Sequence, residues 1–219
     1  MKAKVNNTRS NIDPVAVGTY PSRLVGAIDI GVQPRKPFPG APDKGPINKV
    51  VFIYELVDEF LKDADGKDML DKPRWQSETM AFYGPGAEKS TIGQRFAALD
   101  PSNAADGDVA KLIGTPVMVS ITHSPKDKDS VYTNVESIAA MRPKDAERCP
   151  PLVNKTLVFD MDAPDMEVFD RIPPWIKKLI TSALNYEKSP LAALVANAPK
   201  KVEAKAAVTK EELEEERPF

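Results

Sequence analysis

From Ser22 to Gln33 the chain alternates. Leu24, Gly26, Ile28, Ile30 and Val32 fall on one side, and Arg23, Ala27, Asp29 and Gln33 fall on the other. A period of two predicts a half-buried strand, with Val25 as its exception. Residues 34–48 (PRKPFPGAPDKGPIN) are too proline-rich for a helix and too long for a tight hairpin. Alternation resumes at Lys49 and puts Val50, Phe52, Tyr54 and Leu56 on one face of a second strand. Asp65-Gly66 is a turn signal. A third strand, RWQSETMAFY, follows Pro73, and alternation does not decide which way its Trp75 points.

The period then changes. Ile92, Phe96 and Leu99 form one stripe of a short helix. DGDVAKLIG predicts a second, with Asp106 or Asp108 near its start and Gly114 as its stop. Val117, Val119 and Ile121 mark a fourth strand, and SVYTNVESIAAM marks a fifth after the PKDKD turn. Three strands, a helical insertion and two strands is the order of a five-stranded OB-fold barrel with its helix between strands three and four. The expected class is therefore mainly β, of α+β type.

Four regions are expected: a flexible arm over 1–19, the barrel over 20–141, a proline-broken appendage over 142–198, and a flexible linker with an acidic tail over 199–219. The appendage holds one convincing helix, 174–186, whose inner stripe is read as Trp175, Leu179 and Ser182 or Ala183, with Ile176 and Ile180 beside it.

Charge changes this picture at the C-terminus. The net charge is −2, yet residues 211–219 hold five glutamates and one arginine, which leaves +2 on residues 1–210. A body with local basic clusters can bind phosphates even though the sequence pI is about 5.6. Pro218 and Phe219 after Glu214, Glu215 and Glu216 read as a peptide presented to a partner. The single cysteine, Cys149, excludes an intrachain disulfide framework and agrees with a reducing compartment. There is no signal-peptide core and no apolar run near the ~20 residues a membrane span needs, so a cytoplasmic protein without membrane contact is expected.

Basic residues interleave with aromatics where an OB barrel presents its ligand face. Arg23 lies on strand one; Arg35, Lys36, Phe38 and Lys44 lie in the loop after it. Lys49 opens strand two, and Lys72, Arg74 and Trp75 open strand three. Lys126, Lys128 and Tyr132 surround the turn between strands four and five. Single strands need cations along the backbone and rings under the bases, each stack contributing roughly 1–3 kcal/mol. Phe52 and Tyr54 alternate with the inner set and read as core.

Other chemistry fares worse. Asp160, Asp162, Asp165, Glu167 and Asp170 lack the glycine and distal glutamate of a calcium loop and read as a solvated connector. His123 is the only histidine, and nothing near Cys149 in sequence would orient it as a nucleophile. YGPGAEKST fails the phosphate-loop pattern because Ala87 and Glu88 separate Gly86 from Lys89.

YPSRLVGAIDIGVQP, YELVDEF, KPRWQSETM, VYTNVESIAAMRPKDA and SPLAALVANAPKK together resemble single-stranded DNA-binding proteins of tailed bacteriophages. The ending EEERPF is similar to the acidic, aromatic-terminated tails of bacterial and phage proteins of that kind. It departs from them in using Glu where many have Asp, and in carrying Arg217. The resemblance implies sequence-tolerant binding of single-stranded DNA in phage replication or recombination, inside an infected bacterial cell. It implies a tail that recruits phage or host enzymes, and neither catalysis, metal nor cofactor. Self-association is left open. The alternatives are a protein-interaction scaffold that binds no DNA and a carboxylate-dependent nuclease around Asp160 and Asp162.

Overall fold

The computed structural model describes residues 13–35, 40, 44–83, 87–126 and 131–197. The expectations placed on Lys36, Phe38, Lys128, most of the N-terminal arm and the acidic tail lie outside these residues. Five antiparallel strands form the body: β1 (Gly18–Gln33), β2 (Ile47–Lys62), β3 (Asp68–Ala81), β4 (Pro116–Pro125) and β5 (Val131–Ala140). They lie in the order β3-β2-β1-β4-β5. Between β3 and β4 come helix α1 (Thr91–Leu99) and a 3-10 turn, Val109–Leu112. Ser90 caps α1 by accepting from Gly93 N, and Asp108 caps the turn by accepting from Ala110 N. Gly114 ends the insertion with a φ of +84°, a left-handed conformation that favours glycine.

After β5 the chain makes α2 (Pro143–Arg148), a short β6 (Leu157–Phe159), α3 (Met166–Arg171), α4 (Pro174–Thr181), a 3-10 turn at Tyr186–Lys188 and α5 (Pro190–Asn197). This C-terminal strap lies across the sheet, and β6 pairs in parallel with Gly26–Ile28 of β1. Its α4 stops at Thr181, short of the expected 186. Its buried side is Ile176 and Ile180, with Trp175 and Leu179 flanking it, so the expected stripe is rotated by one residue.

Two cores result. One holds Leu24, Ala27, Phe52, Tyr54, Leu56, Met80, Ile92, Leu99, Val117, Val119 and Ile121 between the curled sheet and α1. The other joins Val25, Ile28, Ile30, Val51 and Ile53 to the strap's Leu157, Phe159, Met161, Ile172, Ile176 and Ile180. Strand β2 supplies both, even positions to one core and odd positions to the other, as its alternation predicts. Strand β1 does not keep one parity. Its register on β2 shifts between Leu24 and Gly26, so Leu24 faces the first core while Ile28 and Ile30 face the second. An extra residue at the bulge exchanges the faces. The single half-buried face expected for β1 is therefore corrected to two buried faces. Val15 is buried in the first core too, so the last residues of the expected arm pack.

Polar anchors fix the strap. The Glu55 carboxylate, fully buried in β2, accepts from Val153 N (2.8 Å), Asn154 N (2.9 Å) and Asn154 Nδ2 (2.7 Å). Asn185 Oδ1 accepts from Val32 N at 2.8 Å. Among the described residues no helix is long and apolar enough to cross a membrane.

Candidate functional site

Pairing directions determine where a groove forms. Strand β2 is antiparallel to both β1 and β3, and β4 is antiparallel to both β1 and β5, so β3 and β5 run the same way. The sheet curls until these edges face each other, although no backbone ladder joins them among the described residues. Side chains bridge the gap instead. Gln76 Nε2 donates to Thr133 O at 3.1 Å, and Arg95 of α1 donates through Nη2 to Glu136 O at 3.2 Å. Arg95 also grips Glu78, with Nε to Oε1 at 2.8 Å and Nη2 to Oε2 at 2.9 Å. Tyr54 donates its hydroxyl to the same Oε1 at 2.7 Å, and its phenol pKa is pushed well above the ordinary value by burial first and by Glu78 second.

Along this seam runs a groove of about 700 Å³. Its walls are Gln76–Thr79 of β3, Thr91 and Arg95 of α1, Lys126 and Tyr132–Glu136 around β5, and Trp175 and Leu179 of the strap's α4. At the rim the Lys126 ammonium stands 5.4 Å from the centre of the Tyr132 ring, and Tyr132 is 44% exposed.

The expected binding residues separate into three groups. Lys126 and Tyr132 meet at the groove. A second set gathers past the end of β3, where Lys49 lies opposite Ala81 and Arg35 Nη2 donates to Tyr83 Oη at 2.7 Å; Lys44 is exposed in the adjoining loop. The third set turns away. Arg23 donates to Pro150 O (2.6 Å), Gly114 O (2.5 Å) and Cys149 O (2.8 Å), and so holds the strap's entry. Arg74 donates to Asp13 O, and burial lowers its pKa. Lys72 is exposed nearby on β3, at the opposite end of the strand from Tyr83. Trp75, opposite Glu55 in the β2–β3 register, packs against the strap-covered core.

Gln76, Thr133 and Trp175 were not read as site residues from the sequence. The signal for Trp175 was present: Ile176 and Ile180 at a spacing of four define the buried side of α4 and put its tryptophan at the edge. Gln76 and Thr133 carry no such signal, since only the curl of the sheet brings them together.

The other candidate residues take part in local hydrogen bonds. Asp165 caps α3 by accepting from Glu167 N and Val168 N, and Asp160 accepts from Asp162 N. Among the described residues no three His, Cys, Asp or Glu side chains are grouped to hold a metal ion. His123 Nε2 lies 2.7 Å from Val15 O, and burial pushes the Cys149 thiol pKa up. No protein-family model, curated protein or solved structure matches this chain.

Proposed function

We propose that the protein is a non-enzymatic, sequence-tolerant binder of single-stranded DNA built on an OB-type barrel. The strand order, the parallel facing edges of β3 and β5, and the helix between β3 and β4 support the barrel reading. The observation that carries the function is the Lys126–Tyr132 pair on the rim of an open groove. Past the end of β3 come Lys49 opposite Ala81 and Arg35 bonded to Tyr83, with Lys44 exposed in the loop before β2. Rings receive bases and cations track phosphates, a combination indifferent to sequence because every base has a flat face. The acidic stretch 211–216 with Pro218 and Phe219 then serves to recruit replication or recombination enzymes of phage or host.

Binding of a labelled oligo-dT and of a duplex of equal length, followed by anisotropy, tests this reading. The single strand should bind more tightly, and its affinity should fall steeply between about 50 and 200 mM salt. Tyr132→Ala should weaken it by about 1–3 kcal/mol. Absence of binding at low salt overturns the reading.

A further inference from the structure

Gln76 Oε1, Thr133 Oγ1 and Trp175 Nε1 are buried and without a hydrogen-bond partner among the described residues, and all three residues line the groove. Buried polar atoms without partners are rare in native proteins. Here an acceptor, a donor and a hydroxyl able to act as either belong to residues that line one cleft. Gln76 is only 1% exposed, and the bond from its Nε2 to Thr133 O leaves Oε1 as its unused acceptor. The wall that supplies Trp175 belongs to the strap and not to the five-stranded body.

The charge of the groove narrows the ligand. Glu78 is neutralised by the two-pronged grip of Arg95, and the described lining carries one further cation, Lys126, and one further carboxylate, Glu136. A cleft without net charge, bounded by Tyr132 and Trp175, suits an uncharged flat ring better than a phosphate. A nucleobase has such a ring, and its edge carries donors and acceptors side by side. Besides Lys126 at the rim, the cations that suit phosphates, Arg35, Lys44 and Lys49, lie outside the lining of the groove.

Resting on the single-strand reading above, we propose that the β3–β5 groove is a base pocket. One base of the bound strand enters it beside Trp175, and its edge satisfies Gln76 Oε1, Thr133 Oγ1 and Trp175 Nε1. The C-terminal strap is thus part of the binding site, and Trp175 rather than Trp75 reports on the strand.

The chain has two tryptophans, so emission can be assigned by replacing each in turn. Oligo-dT should quench wild type and Trp75→Phe, and the quench should be lost in Trp175→Phe. An abasic oligonucleotide of equal length should bind through its phosphates without quenching. Thr133→Val removes an oxygen without a partner among the described residues, so it should leave the melting temperature unchanged or higher while weakening oligo-dT binding about fivefold. A purely structural threonine would not separate those two readouts. Quenching that survives Trp175→Phe, equal quenching by the abasic strand, or Thr133→Val binding like wild type overturns the pocket while leaving single-strand binding intact. If wild type binds no single strand at all, the pocket and the proposed function fall together.

Discussion

Arg95 and Glu78 form a two-pronged ion pair between α1 and β3, with both side chains almost wholly removed from solvent. Tyr54 adds a third bond to the same carboxylate and Glu136 O takes the remaining reach of the guanidinium, so one pair joins the helix, the core and both edges of the groove. Arg95→Ala leaves a carboxylate in the interior without its counter-charge. It should cost about 3–5 kcal/mol in urea unfolding. Arg95→Lys should recover only part of this loss, because an ammonium cannot reproduce the planar fork.

Glu55 does for the strap what Arg95 does for the helix. Three N–H groups point at its carboxylate, and Glu55→Gln would turn an amide NH2 toward at least one of them. A loss of about 1.5–3 kcal/mol is expected. Hydrogen exchange should show faster opening of residues 152–180 than of β4 and β5. Uniform acceleration across the whole chain would show that strap and sheet open as one unit.

Gly31 has a φ of +69°, and a Cβ there would come within 2.6 Å of Asn185 Oδ1, 2.7 Å of Met161 Sδ and 2.9 Å of Ala183 Cβ. Gly31→Ala therefore meets both backbone strain and a clash with the strap. We expect a loss of at least about 1–3 kcal/mol, read as a lower midpoint in chemical denaturation.

Asp29 gives a pH test. Burial raises its pKa, with the charges of Asp160 and Asp162 adding to the effect against the lowering by bonds from backbone N–H groups. A carboxyl with a raised folded pKa binds its proton more tightly folded than unfolded. Its favourable contribution is complete below the unfolded aspartate range and is lost as pH rises through the folded value. Asp29→Asn keeps an oxygen that can accept from Gly31 N. Its melting temperature relative to wild type should be higher at pH 7 than below the aspartate range, whatever constant cost its NH2 carries beside the Met161 N–H. A gap independent of pH would exclude ionisation of Asp29 as its cause.

Much of the body was legible in the chain. Val50, Phe52, Tyr54 and Leu56 declared the inner face of β2, and Val117, Val119 and Ile121 that of β4, because side-chain direction in a strand has a period of two. Asp65-Gly66 and Gly114 marked their turns by local backbone chemistry, and of Asp106 and Asp108 the structure makes Asp108 the cap. Of the groove, Lys126 and Tyr132 were legible as neighbours because they stand six residues apart in the chain.

What the sequence determined by itself is local: strand and helix periods, the turns between them, and the order of five strands around a helical insertion. What only the tertiary structure decided depends on residues far apart in the chain. The bulge beside Val25 reversed the faces of β1, and the strap buried the face that alternation alone would leave to solvent. Arg23 and Arg74, which read as part of the ligand face, were drawn onto carbonyl oxygens of distant loops. Gln76, Thr133 and Trp175 became neighbours because β3 and β5 curl together and α4 folds over their seam. Periodicity records which way a side chain points from its own backbone; what it meets there is set by the closure of the sheet and the docking of the strap.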